Sequence, residues 1–507
     1  MDAEADAEEV REGLRIDSAA GRWVLFTTVL GSGMAFLDGT VVNVALPRLG
    51  DDLGASFAGL SWISNGYLLT LASLILVGGS VGDRVGRRRT YLAGAAGFAV
   101  ASLLCGIAPS TGTLVAARLV QGAAGAFLVP GSLALLQTTI HPDDRARAIG
   151  MWSGLAGVTT AVGPFVGGWL VQVASWRWVF LLNLPLAVVV LVVGRAHLVE
   201  SRDPTVEGRP DLLGAGLGVA GLAIATYGLV QEDVAVGLLG LVVLAGFLAV
   251  EARTARPMMP LGVFRSRQFS GANGVTFAVY GALGGILFLL ALVLQQALDY
   301  SPLAAGAATV PITVVMLAFS ARSGALAQRI GPRVPMAAGP AIIAAGLLLM
   351  LRVEVDGSYV SQVLPALVVF AVGLVLTVAP LTSTVLAAAD PRHAGVASGI
   401  NNAVSRTAGL LAVAALPIVA GFDASVEVSA PTLLDGFHRA VVAGAALSLL
   451  GAFVSWATIR ADVLDAAPEP AEPAEPEKAE PHRGLTVYCT VAHPPPAAQH
   501  HATSTAR

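Results

Sequence analysis

Long apolar runs alternate with short polar connections along most of this 507-residue chain. Most runs approach the roughly 20 apolar residues that an α-helix needs to cross the hydrocarbon core of a bilayer. The pattern predicts an all-α membrane protein with fourteen transmembrane helices and short loops. The predicted spans cover residues 23–47, 58–81, 90–108, 113–138, 147–171, 178–198, 212–231, 234–251, 269–294, 303–321, 334–351, 361–388, 396–420 and 438–459.

The overall composition supports the same class of protein. Hydrophobic residues make up 55% of the chain and charged residues 13%, whereas a soluble domain averages about 25% charged residues. The mean hydropathy is +0.73. We therefore expect a multi-pass protein of the cytoplasmic membrane, surrounded by the lipid bilayer and without a nucleic-acid partner.

The arginines are distributed unevenly between the predicted loops. If the N-terminus is cytoplasmic, the even-numbered connections are cytoplasmic too. Together with the bordering ends of the spans they carry seventeen arginines, against four in and beside the odd-numbered connections. An excess of arginine in short loops marks the cytoplasmic side. Both termini are therefore predicted to be cytoplasmic.

The connection between the second and third runs carries a regular set of glycines and charges. Its arginines cannot lie in hydrocarbon, where each would cost about 2.5–3.5 kcal/mol or more. Glycines permit close helix packing and a sharp turn, and the acid can cap a helix end or pair with an arginine. A generic positive loop would account for the arginines alone. The fixed positions are Gly79, Asp83, Arg84, Gly86, Arg87 and Arg88.

An internal repeat relates the two ends of the chain. A shift of 245 positions carries Gly79, Arg84, Gly86, Arg88 and Arg147 onto Gly324, Arg329, Gly331, Arg333 and Arg392, with Gln328 in place of Asp83. Such a repeat predicts two six-helix halves related by an axis along the membrane normal. The predicted organisation is a cytoplasmic segment 1–22, a half 23–200, inserted helices 7 and 8 in 201–260, a half 261–460, and a disordered cytoplasmic tail 461–507.

Two charged residues fall inside predicted spans. Asp38 lies about 14 Å from the outer end of span 1, and Arg118 about 8 Å from that of span 4, at 1.5 Å per residue. We expect the two to be partners in one polar cavity, because an acid inside the membrane usually marks a functional site. Arginine cannot release its proton, so Asp38 is predicted to carry one and Arg118 to set the field or bind an anion. The alternative is a static ion pair that fixes helix packing.

Span 5 contains the stretch Gly163-Pro164-Phe-Val-Gly167-Gly168. Pro164 removes a backbone donor and predicts a kink. Gly163 and Gly167, four residues apart, form a small-residue face for close helix packing.

These stretches together resemble the 14-span drug:proton antiporter branch of the major facilitator superfamily, over about residues 22–460. The resemblance also includes the residues around Trp176–Pro185 and Leu294–Gly306, while Thr159 replaces the first glycine of the span-5 motif. The matching stretches are Leu37-Asp38-x-Thr40-Val-Val-Asn43-Val-Ala45-Leu46-Pro47, the loop at 79–88, Arg118-x-x-Gln121-Gly122 and Gly163-Pro164-x-x-Gly167-Gly168.

The resemblance implies proton-driven efflux of amphiphilic small molecules, such as antibiotics or drugs, by alternating access. It implies that Asp38 and Arg118 couple protons, that the loop at 79–88 is a cytoplasmic gate, and that the span-5 glycines and proline set the outward direction. A monomer without a cofactor is expected. The alternatives are a dedicated exporter of an endogenous metabolite or lipid, or a proton-coupled uptake carrier. With no P-loop, metal-ligand cluster or hydrolase elbow in the sequence, an enzyme is not expected.

Polar residues within the spans are candidates for the wall of a substrate cavity. For each amide the alternative is an interhelical hydrogen bond, worth about 0.6 kcal/mol on average. One deep acid and two deep arginines favour neutral, zwitterionic or anionic amphiphiles over dications. The candidates are Trp62, Asn65, Tyr67, Gln121, Asn273, Gln295, Gln296, Asn401, Asn402 and Arg406.

Overall fold

In this computed structural model, residues 13–202, 211–254, 257–355, 357–388, 394–422 and 429–463 are described. The predicted tail 461–507 lies outside them from residue 464 onward, as do residues 1–12 of the predicted N-terminal segment. Within the described residues the fold is all-α. An isolated parallel bridge joins Leu14 to Ile140.

Long helices follow one another with short connections, and we number them in chain order. Short helical pieces at Arg177–Leu181, Pro302–Ala308 and Leu416–Ala420 accompany α6, α10 and α13. The long helices are α1 (Ala19–Leu53), α2 (Phe57–Val85), α3 (Arg87–Gly106), α4 (Thr111–Thr139), α5 (Pro142–Val173), α6 (Asn183–His197), α7 (Leu212–Val230), α8 (Val234–Glu251), α9 (Arg267–Leu292), α10 (Val310–Ile330), α11 (Arg333–Leu349), α12 (Leu364–Ala387), α13 (Ala394–Ala414) and α14 (Ala430–Thr458).

Polar caps fix where several of these helices begin. The hydroxyls of Ser18, Ser56 and Ser110 accept hydrogen bonds from backbone N–H groups in the first turns of α1, α2 and α4. The carboxylates of Asp211 and Asp233 do the same for α7 and α8. Each cap satisfies an otherwise unpaired donor at the helix start.

The helices run past the apolar stretches that predict them. The structure ends α1 at Leu53 instead of residue 47, because Pro47 is accommodated inside the helix and Gly54 closes it with a φ of 60°. It begins α14 at Ala430 instead of residue 438, so Arg439 lies well inside the helix and not at its start. A pattern of apolar residues does not predict helix end turns that are polar and extend into water.

Twelve helical segments among the described residues are long and apolar enough to cross a membrane. They correspond to every long helix except α3 and α13. Three arginines open α3, and α13 carries two asparagines and an arginine. These polar residues lower the hydropathy of both helices.

One hydrophobic core lies within the first six helices, and a larger one combines residues of α1, α2, α4 and α5 with those of the last six helices. The α7–α8 pair lies beside them, with α7 packed on α2 and α13. Small residues bring α7 and α8 together, because a side chain on Gly240 would overlap the backbone of Ala225. Contacts between α2 and α13, and between α5 and the piece Pro302–Ala308, join the two helix sets.

Candidate functional site

Asp38 and Arg118 form an ion pair in the interior of the helices α1–α6. Nη1 of Arg118 donates to Oδ2 of Asp38. Asp38 is fully buried and Arg118 is 1% exposed. The contact predicted from their depths is therefore present, but it is enclosed and does not line an open cavity.

Two amides complete the surroundings of the Asp38 carboxylate. Oδ1 accepts from Nε2 of Gln121 at 2.8 Å and from Nδ2 of Asn183 at 3.0 Å. The same two nitrogens lie 2.9 and 3.3 Å from Oγ of Ser102. Helices α1, α3, α4 and α6 thus all contribute side chains. We call the five residues Asp38, Ser102, Arg118, Gln121 and Asn183 the Asp38 network.

The guanidinium of Arg118 makes hydrogen bonds and also lies near two aromatic rings. Its Nε donates to the carbonyl of Ile63 at 3.0 Å, and its Nη1 also lies 2.7 Å from Oε1 of Gln121. The Tyr67 ring lies 4.4 Å from its central carbon and the Phe180 ring 5.7 Å. Aromatic faces attract a cation and are favourable where water is excluded. A buried charge without such partners would be strongly unfavourable.

Asn183 and Ser102 were not among the residues singled out from the sequence. Asn183 appears there only within the stretch Trp176–Pro185. A lone amide at the start of an apolar run is the signal that points to it. Ser102 carries no comparable signal, since a hydroxyl in a helix is usually satisfied by its own backbone.

Charged side chains of the loop at 79–88 pair with residues that are close in the sequence. Asp83 accepts from Arg87, with Nη2 of the arginine 2.7 Å from Oδ1. Arg84 donates to the carbonyl of Ser80 at 3.0 Å and also reaches its hydroxyl. The predicted pairing of the acid with a neighbouring arginine is present within this one turn.

Glu200 covers the start of α3. Its carboxylate accepts from the backbone N–H groups of Arg88 at 3.1 Å and Arg89 at 3.3 Å. Gly86 has a φ of 128°, and a Cβ there would lie 2.5 Å from Oε1 of Glu200. Gly86 is therefore required both for the turn and for the approach of this carboxylate. Sequence reasoning missed Glu200.

The second copy of the loop has a related geometry with different partners. Gly331 has a φ of 79°, and the carbonyl of Ala461 takes the position that Glu200 holds beside Gly86. Nη2 of Arg88 donates to the carbonyl of Arg195 near the end of α6, and Nε of Arg333 donates to that of Trp456 near the end of α14. Arg392 lies outside the described residues.

The span-5 glycines provide two close helix contacts. A Cβ on Gly163 would overlap the hydroxyl of Thr40, and one on Gly167 would lie 2.7 Å from the carbonyl of Val41, so α5 packs tightly on α1. Thr40 also donates to the carbonyl of Thr160 at 3.0 Å. Pro164 lies inside α5.

The other face of the same stretch meets the helix piece that precedes α10. Gly168 lies against the carbonyl of Pro302, and Gly306 lies against the carbonyl of Pro164. The backbone N–H of Leu303 donates to the side chain of Gln172 at 3.2 Å. Two glycines from different parts of the chain thus allow one backbone-to-backbone contact.

Several cavity candidates make interhelical or local hydrogen bonds. Tyr67 donates to the carbonyl of Ala35, Asn401 donates to Oδ1 of Asn273, and Gln295 donates to the carbonyl of Val44. The remaining positions differ in their surroundings. Gln121 belongs to the Asp38 network, Asn402 donates to Ser398 in its own helix, Trp62 packs on Tyr227 of α7, Asn65 is buried, and Gln296 is exposed.

Arg406 of α13 has different surroundings from Arg118. Its guanidinium lies 5.0 Å from the Phe36 ring of α1. Among the described residues no carboxylate lies within ion-pair distance of it. Arg406 is half-buried, as is Tyr280 of α9. A cation of the last six helices thus faces an aromatic ring of the first six.

Comparisons with known proteins agree with this architecture. Residues 28–414 match the family model of the Major Facilitator Superfamily. The chain is similar to the tetracenomycin C resistance and export protein of Streptomyces glaucescens, with 35% identity covering 78% of this chain and 75% of that protein. It is 34% identical to the puromycin resistance protein pur8 of Streptomyces alboniger, over 86% of this chain and 91% of that one.

A solved structure shows the same fold at low sequence identity. The D-xylose–proton symporter superposes with a TM-score of 0.61 at 14% identity, covering 87% of this chain and 98% of the symporter. The family model covers well over half of the chain. The chain therefore belongs to the major facilitator superfamily and is a multi-pass transporter of the cell membrane.

Proposed function

We propose that this transporter exports antibiotic- or drug-like amphiphilic molecules in exchange for protons, by alternating access. Relatives named for resistance to, or export of, antibiotics support the direction and the kind of substrate. The Asp38 network supports proton coupling and is the observation that carries the proposal. We also propose that the protein functions as a monomer.

The coupling step follows from the hydrogen bonds of Asp38. A carboxylate only accepts hydrogen bonds, and both oxygens here are engaged by N–H donors of Arg118, Gln121 and Asn183. A proton on Asp38 adds a donor where N–H donors already point, so at least one of these hydrogen bonds has to break or be replaced by one to an acceptor. Because the partners sit on α4 and α6 while the acid is on α1, protonation changes how these helices are held together.

The proposed topology has fourteen spans, with both termini in the cytoplasm. It adds α3 and α13 to the twelve apolar segments, since helices of 20 and 21 residues are about 30 Å long. The two six-helix halves are 23–200 and 261–460, with 201–260 inserted. The similar roles of Arg88 and Arg333 at the ends of α6 and α14 support this repeat.

With that topology, the structure corresponds to a state closed on the outer side. The backbone contact of Gly168 with Pro302, and of Gly306 with Pro164, joins the halves near their proposed outer ends. Alternating access requires this contact to part as the proposed gate at 79–88 closes the inner side. The lack of side chains on both glycines lets the contact form without interlocking.

The substrate is proposed to bind between the halves beside Arg406. Phe36 offers an aromatic face 5.0 Å from the guanidinium, and Tyr280 lies in the same half as Arg406. A guanidinium that no carboxylate in the described part of the chain pairs with favours a substrate that carries an acidic or strongly polar group on an aromatic or apolar body. Asn273 and Asn401 remain candidates for the same wall.

Efflux from cells that express this chain tests the proposal. A panel of fluorescent compounds and antibiotics is followed with and without a protonophore. The proposal predicts that collapse of the proton gradient raises the intracellular level of the transported compounds. A proton-driven importer would give the opposite response, a lower level, and would overturn the proposal.

A further inference from the structure

A cavity of about 460 Å³ lies between the start of α3 and the last turns of α6. It is separate from the Asp38 network and from the contact between the halves. Its wall combines three arginines with three apolar residues. They are Arg88, Arg89, Arg195, Leu92, Ala93 and Ala96.

The charged end of this cavity has more hydrogen-bond donors than acceptors. Nε of Arg88 is buried and has no hydrogen-bond partner within the described part of the chain, although its Nη2 donates to the carbonyl of Arg195. Arg89 and Arg195 are exposed. The neighbouring acid is Glu200, which lies 3.6 Å from Nε of Arg89 and also accepts from two backbone N–H groups. Three guanidinium groups against one engaged carboxylate leave the cavity positive.

The other end of the cavity is apolar and points along α3. Leu92, Ala93 and Ala96 occupy the turns that follow the arginines. The cavity is therefore charged at one end and apolar at the other. Exposed apolar side chains such as Val100 of α3 and Val192 of α6 indicate that this helix pair faces the bilayer. Trp23 stacks on His197, with ring centroids 5.1 Å apart, at the end of α6 beside Arg195. Tryptophan prefers the headgroup level of a membrane. The position of Trp23 therefore places the arginines of the cavity at the level of the lipid headgroups.

We propose that this cavity binds an anionic phospholipid. The phosphate and glycerol headgroup is held by Arg89 and Arg195, with the free Nε of Arg88 beneath it, and an acyl chain follows Leu92 and Ala96 along α3. Basic pockets between helices at this depth suit anionic lipid headgroups. Guanidinium groups suit phosphate oxygens, because the planar fork donates two parallel hydrogen bonds.

The equivalent position in the last six helices has different surroundings, which indicates that the cavity is a specific site and not a general feature of the fold. There the indole of Trp456 lies 4.2 Å from the guanidinium carbon of Arg333. The arginine that corresponds to Arg88 is thus covered by an aromatic side chain of its own half. The proposal uses the membrane location of the chain and is independent of export.

The experiment is lipid binding to the purified full-length protein in detergent. Native mass spectrometry and thermal unfolding are followed during titration with phosphatidylglycerol, phosphatidylcholine of the same chain length, and inorganic phosphate. The test variant is Arg89→Gln with Arg195→Gln, which spares the proposed gate residues. Arg195→Gln alone serves if the double variant fails to fold. The matched control is Arg253→Gln with Arg352→Gln, two exposed arginines elsewhere that give the same change in charge.

The proposal predicts that phosphatidylglycerol binds and raises the melting temperature, while phosphatidylcholine and inorganic phosphate do not. The double variant should weaken phosphatidylglycerol binding about 30-fold, at about five-fold per arginine, and the control should not. Equal binding of phosphatidylcholine would show that the charges are not recognised. Unchanged binding by the Arg89 and Arg195 variants would place the lipid elsewhere, and an equal effect of inorganic phosphate would make the site a phosphate site. Each of these three results overturns the proposal.

Discussion

Asn183 donates a hydrogen bond of 3.0 Å to Oδ1 of Asp38, joining α6 to α1. The same oxygen accepts from Gln121, while Oδ2 accepts from Arg118. Oδ1 of Asn183 is buried and has no hydrogen-bond partner in the described ranges. Rotation of the amide would present that acceptor to a protonated Asp38, so one side chain can serve both forms of the acid.

Replacing Asn183 should therefore impair coupling more than it impairs folding. We expect Asn183→Ala to cost about 1–2 kcal/mol of stability, because a buried donor to a charged acceptor is lost. Gradient-driven export should fall about ten-fold. Thr28→Ala is the control, since the buried Thr28 hydroxyl donates to carbonyls of its own helix and belongs to no proposed site. Thermal unfolding and export are measured together, and equal export by the two variants would contradict a role for Asn183.

The contact at Gly168 and Gly306 predicts a change in conformational equilibrium. In Gly168→Ala and Gly306→Ala the added Cβ would overlap the facing carbonyl, so the outer side should open. Overlap of this kind typically costs about 1–3 kcal/mol, enough for a shift of ten-fold or more. Gly157→Ala is the control, because a Cβ on Gly157 would meet open space.

Spin labels report the opening of the outer side. Val173 and Arg352 are exposed near the proposed outer ends of α5 and α11. Pulsed double electron–electron resonance measures the distance between spin labels at these two positions. This distance should be longer in Gly168→Ala and Gly306→Ala than in Gly157→Ala. Identical distance distributions in all three variants would show that these glycines do not set the closed state.

The turn at Gly86 predicts a large difference between two glycine substitutions. Gly86 has a φ of 128° and a carboxylate at its Cβ position, whereas Gly54 has a φ of 60° and open space there. Gly54→Ala should cost about 1–2 kcal/mol, the ordinary cost of the left-handed region. Gly86→Ala should cost clearly more, because Glu200 must also leave the start of α3. Thermal unfolding of both variants checks this, and equal melting temperatures would contradict it.

Arg406 predicts a change in which substrates are exported. Since no carboxylate of the described residues pairs with it, its charge is available to an acidic group of the substrate. Arg406→Gln should reduce export of acidic compounds about ten-fold or more while leaving neutral compounds within about two-fold. Arg406→Lys, which keeps the charge but not the planar fork, should give an intermediate result. Equal losses for acidic and neutral compounds would indicate a packing role against Phe36.

Features that depend on local sequence could be predicted well. The apolar runs located the helix bodies, and the depths of Asp38 and Arg118 were enough to predict their contact. The turn at Gly86 followed from the loop alone. In each case the physical signal lies within a few residues of sequence. The signals are the length of an apolar run, a charge inside such a run, and a glycine in a turn.

Features that depend on distant packing could not be predicted. Asn183 meets Asp38 from 145 positions away, and Glu200 meets Arg88 from 112 positions away. The contact of Trp62 with Tyr227 of α7 could not be predicted either, because the periodicity of the sequence does not show that the α7–α8 pair lies beside α2. Helix ends such as that at Ala430 are set by caps and polar turns that lie outside the apolar stretches.

The central claim is that Asp38 carries the exchanged proton. The most direct test is transport by purified protein in liposomes, for Asp38→Asn and for Asp51→Asn, an exposed acid of the same helix. The substrate is a compound found to be exported in cells. The account predicts that Asp38→Asn loses uptake driven by a pH gradient but keeps exchange of labelled for unlabelled substrate, while Asp51→Asn keeps both. Gradient-driven uptake by Asp38→Asn at the unmodified rate would contradict it.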